Sequence, residues 1–178
     1  MSIDQFPALR DLMTNTADAA RTPVRPARPQ REATPLLWTL PGFAPLTRIT
    51  TSFGEVHAQA LRERDLVRTR SGEFKPIRWI DRIVLDESFL IRHPDAQPVL
   101  IRANALGRGL PRADILLSPR QPIAPIFNQL PGTAKTAADL LSRPGVYRKT
   151  ENTMTYTLFH LGAPDYVMTE RFWVHVSP

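Results

Sequence analysis

Residues 93–119 read HPDAQPVLIRANALGRGLPRADILLSP. Inside this stretch QPVLIRANAL (97–106) is a short run of branched apolar side chains, and Gly107 and Gly109 then mark a turn. His93 stands before Pro94, a pairing that reads as a turn rather than a ligand site. The pentad GRGLP has too few glycines, in the wrong context, to cradle a phosphate. The stretch predicts short strands joined by tight turns.

The same texture continues on both sides. Upstream lie TRITTSFGEVHAQAL (47–61) and RDLVRTRSGEFKPIRWIDRIVLD (64–86), with turns at Gly54 and Gly72. Downstream lie VYRKT (146–150), TMTYTLFHL (153–161) and DYVMTERFWVHV (165–176). TAADLLS (136–142), closed by Pro144-Gly145, reads as the one short helix. The body is therefore expected to be all-β, with roughly ten to twelve short strands. It shows no repeat of propeller or solenoid period.

Before the body, residues 1–36 form a leader of different composition. Residues 4–20 hold Phe6, Leu9, Leu12 and Met13 at near-helical spacing, which allows a short amphipathic helix. Pro23, Pro26, Pro29 and Pro35 then favour extended polyproline II, a linker. The division expected is thus a leader over 1–36 and a β domain over 37–178.

Bulk properties exclude several functions. The 178 residues include no cysteine, so disulfides, thiolate metal sites and thiol nucleophiles are ruled out. No His/Asp/Glu group has metal-ligand spacing, and no cofactor is expected. No signal peptide or membrane-length apolar run is legible, which predicts a soluble, cytoplasmic chain without a membrane partner. A net charge of +6 and pI near 10.5 would suit nucleic acid. The arginines are scattered and no aromatic ladder accompanies them, so composition explains the charge as well as a nucleic-acid site does.

The ordered set of strands resembles the hedgehog/intein (Hint) domain, in particular its stand-alone bacterial branch. That family opens with P-C-F-x-P-G-T-x-I; here Pro41-Gly42-Phe43-Ala44-Pro45-Leu46-Thr47-Arg48-Ile49 stands in its place. Leu61, Asp65, Val67 and Thr69 follow the family's L-x-x-G-D-x-V-x-T, with Arg64 at the glycine. KPIRWIDR (75–82), the 93–119 stretch and MTYTLFHL (154–161) are similar to further family segments. The resemblance runs from about Leu40 to Val174 and implies a horseshoe-shaped all-β fold with one short helix.

It also implies a chemistry, and which residues would carry it. In the family the first cysteine attacks the peptide bond before it, and the histidine of a T-x-x-H element protonates the leaving amide. Gly42 aligns with that cysteine, Ser118 with the threonine and Gln121 with the histidine. Glycine has no side chain, and glutamine exchanges no proton near neutral pH. His160 reads as displaced from the family's later histidine, and Val176 follows His175 where splicing would need asparagine. Thr47 reads as a strand-start residue with a local hydrogen bond, and Asp65 as a turn acceptor.

The expectation is a Hint domain that has lost autoprocessing or splicing and serves as a binding or carrier module. Its partner is unknown; a former N-terminal cargo is one source. Two alternatives are an active domain using a non-cysteine nucleophile (Thr47, Thr50, Thr51 or Ser52) and a basic nucleic-acid-binding module. Oligomeric state is not legible.

Overall fold

The computed structural model describes residues 37–124 and 135–178. The expected leader helix, proline linker and tail boundary lie outside the described residues. Among the described residues there are thirteen strands: β1 (Arg48–Thr51), β2 (Gly54–His57), β3 (Leu66–Arg68), β4 (Phe74–Pro76), β5 (Trp79–Leu85), β6 (Val99–Ile101), β7 (Ile115–Leu117), β8 (Pro122–Ile123), β9 (Lys135–Thr136), β10 (Val146–Arg148), β11 (Met154–His160), β12 (Asp165–Thr169) and β13 (Phe172–Val176). The body is mostly β, as its alternating segments predict.

One sheet runs β4-β3-β1-β12-β13-β8-β9, with β2 also paired to β1. Another runs β10-β6-β7, and β5 pairs with β11 over seven residue pairs. The strands form where alternation gives them one buried face. In β13, Phe172, Val174 and Val176 are buried while Trp173 and His175 are half-buried between them. The β12–β13 hairpin turns in two residues, Glu170 and Arg171, both at positive φ (42° and 71°), which suits the twist of its strands. Arg64 adopts φ +72° at the position where the family pattern has glycine, so the turn keeps its left-handed residue without the glycine.

The single α-helix among the described residues is α1 (Glu87–Arg92), not the 136–142 segment. Asp86 ends β5's run and starts α1 by accepting the Phe89 N–H at 2.7 Å. In TAADLLS the Asp139 carboxylate instead accepts from the backbone N–H and hydroxyl of Thr136. The result is one 3₁₀ turn, Ala138–Leu140, stopped by Pro144-Gly145.

Phe43 is the joint of the structure. It makes single bridges to Leu117 of β7 and Thr157 of β11, linking the β6–β7 and β5–β11 pairs. Its N–H donates to the Thr157 carbonyl and its carbonyl accepts the Thr157 N–H, both at 2.9 Å. The ring is 1% exposed, stacks on Phe159 at 5.3 Å, and belongs to a core with Ile49, Ile101, Leu117 and Val174. A second buried cluster joins Trp38, Ala44, Leu85, Leu90, Ala96, Met154 and Tyr156. Phe43→Ala is expected to lower unfolding stability by about 3–5 kcal/mol, measured by chemical denaturation.

Candidate functional site

The segment that delivers Phe43 to its two strands is anchored one residue earlier, at Gly42. The carbonyl of Gly42 accepts the Ser118 N–H at 2.9 Å, at the end of β7. Its N–H donates to Oε1 of Gln121, also at 2.9 Å. Gln121 is buried, and its Nε2 donates to the His175 carbonyl of β13 at 2.7 Å. One side-chain amide therefore ties the Pro41–Gly42 peptide to β13. Gly42, Ser118 and Gln121, predicted from separate segments, come together here.

Gly42 has φ +154°, a backbone conformation that L side chains rarely adopt. A β-carbon built at this position would lie 2.8 Å from Cβ of Tyr156 and 3.5 Å from Cδ1 of Leu158. The obstacle is the root of the Tyr156 side chain, which cannot swing aside. Tyr156 is itself fixed: it is fully buried, its hydroxyl donates to the Ala96 carbonyl at 2.8 Å, and its ring lies 5.6 Å from that of Trp38. Burial pushes its phenol pKa well above the ordinary value.

The Ser118 hydroxyl faces the chain before Gly42. It accepts from the Trp38 indole N–H at 2.9 Å and donates to the Leu40 carbonyl at 2.6 Å. On the other side of Gly42 an open cavity of about 380 Å³ is bounded by Trp79, Leu158, His160, His175 and the C-terminal residues Val176 to Pro178. His160 stacks on Trp79 at 5.5 Å, and its Nδ1 accepts the Gly162 N–H at 3.1 Å. In the neutral imidazole the proton then sits on Nε2.

Other predicted residues lie apart. Thr47 precedes β1, and its hydroxyl donates to the Leu116 carbonyl of β7 at 2.8 Å. That bond is tertiary, not the local one expected. Thr51 Oγ1 donates to the Gly54 carbonyl. Asp65 accepts the Arg62 N–H at 2.8 Å, the turn role expected of it. His57 ends β2, and His93 caps α1 against Phe89. Among the described residues no group of three or more His, Asp or Glu could hold a metal. No helix there is long and apolar enough to cross a membrane.

Sequence reasoning missed Trp38, Tyr156 and Trp79, and it singled out His160 without placing it beside Trp79. Trp38 precedes the recognisable segments, and Tyr156 and Trp79 look like ordinary alternating strand residues.

Residues 41–175 match the model of the protein family described as Hint domain. The chain belongs to that family. Among solved structures, the Hint chain resembles a DnaB intein from Synechocystis sp. PCC 6803, with a TM-score of 0.52 at 9% identity, covering 78% of this chain and 100% of that one. It also resembles an Ssp DnaB mini-intein variant, with a TM-score of 0.51 at 10% identity, covering 80% and 99%. At such identities the likeness establishes the Hint fold alone. No curated protein matches the chain.

Two expectations follow from this geometry. Gly42→Ala should lower stability by about 1–3 kcal/mol through backbone strain and overlap with Tyr156, read as a fall in denaturation midpoint. The second concerns pH. The folded state favours the protonated Tyr156 phenol, so its contribution is complete below about pH 10, the ordinary tyrosine value, and is lost as pH rises above it. Denaturation at pH 8 and pH 11 should show that loss. Tyr156→Phe should flatten it, at a cost of about 1 kcal/mol at pH 8 for the Ala96 carbonyl left without its donor.

Proposed function

We propose that this Hint domain does not process itself and is retained as a binding or carrier module. In this reading Gly42, Thr47, Ser118 and Gln121 are vestigial site positions, Asp65 keeps a structural role, and residues 1–36 are a leader to the domain at 37–178. The observation that carries the proposal is that the group bonded to the Gly42 amide is the Gln121 side chain, which has no titratable proton. Cleavage of Pro41–Gly42 requires a proton delivered to the departing Gly42 nitrogen. The side chain in contact with that nitrogen is Gln121, whose Oε1 accepts the Gly42 N–H. Glutamine preserves the contact with its direction fixed, because Oε1 has no proton to give.

The nucleophile side agrees. Gly42 offers no attacking atom, and the space its β-carbon would need is filled by Tyr156. The Thr47 and Thr51 hydroxyls donate to other carbonyls. Losing the acid alone costs about 10²–10⁴-fold in rate, whereas losing the nucleophile closes the acyl-shift route.

Intact-mass measurement tests the proposal. Purified chain kept for days without protease should retain its full mass, with or without added thiol or hydroxylamine. Gly42→Cys with Gln121→His should also remain uncut, because the cysteine's β-carbon meets Tyr156. Appearance of a fragment beginning at residue 42 in the unmodified chain overturns the proposal.

A further inference from the structure

Residues 37–41 join no strand, yet one of them is held firmly against the domain. Leu37, Thr39, Leu40 and Pro41 are exposed, while Trp38 between them is buried at 7%. The indole packs 5.6 Å from the Tyr156 ring and edge-on to Phe89 at 6.1 Å, in the cluster that includes Leu85, Leu90 and Met154. Its polar atoms are matched one by one. The indole N–H donates to Ser118 Oγ, and the backbone N–H donates to the Asp95 carboxylate. The backbone carbonyl accepts Arg120 Nε–H at 2.9 Å. Ser118 Oγ passes its own proton on to the Leu40 carbonyl, two residues along.

A lone buried aromatic side chain, flanked by exposed residues and held by side-chain bonds to its backbone, is how an extended peptide is recognised by a receptor. A strand integrated in a sheet would be held by ladder bonds instead. The wall is also built without residues 37–41: Asp95, Ser118, Arg120, Phe89 and Tyr156 all come from chain beyond Gly42.

We propose that this wall is a peptide-binding site occupied by the chain's own residues 37–41, with Trp38 as anchor. The segment upstream of Gly42 then stays attached to the Hint domain even when the Pro41–Gly42 bond is broken. This holds whether or not the chain processes itself, so it stands apart from the proposed loss of cleavage.

The native sequence contains no Asn–Gly bond, so Pro41→Asn creates a single one, at residues 41 and 42. Hydroxylamine in denaturant cuts such a bond, and the products can be refolded together beside uncut Pro41→Asn chain as a control. Size exclusion and native mass spectrometry should find fragments 1–41 and 42–178 as a one-to-one complex. Adding Trp38→Ala should weaken the complex by about 30-fold or more, as loss of an anchor residue does. Fragments that separate while the control refolds, or a complex indifferent to Trp38→Ala, overturn the proposal. Amide exchange on the uncut wild-type chain decides it independently of refolding. The Trp38 and Gly42 amides should exchange as slowly as those of β11; fast exchange at both rejects an occupied site.

Discussion

Everything near Gly42 depends on one short segment of backbone. Among the described residues Phe43 bridges both β7 and β11, with Ala44 also bonded to β7 and Gly42 to Ser118 at its end. The β6–β7 and β5–β11 pairs thus meet through a three-residue segment rather than a ladder. So short a segment contributes few hydrogen bonds, and the buried ring stacked on Phe159 supplies the apolar contact that holds it. The bridge also fixes register. With Phe43 paired antiparallel to Thr157, Gly42 falls opposite Leu158, close also to the root of the Tyr156 side chain, and its carbonyl meets the Ser118 amide. The position that the Hint pattern gives to cysteine is thus placed by the packing of its neighbour.

The polar groups around that position serve structure in this chain. Gln121 spans from Gly42 to β13, and Ser118 connects the upstream segment to the end of β7. Both are buried, and a buried polar side chain left without partners is expensive, so each satisfied bond constrains the others. The turn between β7 and β8 brings both Ser118 and Gln121 to the chain around Gly42, and in the proposed reading they keep the T-x-x-H spacing. Geometry of this kind can persist without the titratable group that would make it reactive.

The legible part of the molecule was its pattern. Alternation and turn glycines pointed to β structure, and the ordered segments from Pro41 onward pointed to the Hint family. Local rules misplaced the helix. Thr136 to Ser142 has helix-forming residues and a terminator, but its aspartate caps a single turn, whereas Glu87–Arg92 follows a strand whose end only Asp86 marks. At the site, the alignments of Gly42, Ser118 and Gln121 depend on spacing and could be read. Tyr156 and Trp38 could not, because their importance comes from what lies across the fold, 114 residues away for Gly42–Tyr156 by their numbering. His160 looked displaced along the chain, yet it reaches the cavity beside Gly42 because β11 passes there.

The closure around Gly42 also bears on whether a cysteine could be placed there by side-chain replacement. A cysteine's β-carbon at position 42 would lie 2.8 Å from Cβ of Tyr156, and truncating Tyr156 to alanine leaves that atom in place. The backbone would have to move instead, from φ +154° to a negative φ. Such a rotation turns the Gly42 N–H away from Gln121, or the Gly42 carbonyl away from Ser118, and strains the Phe43 bridge next to it. The glycine is therefore more than an absent nucleophile. It is the residue that lets β11 approach so closely, and a β-carbon at position 42 would strain the packing that now joins the two strand pairs.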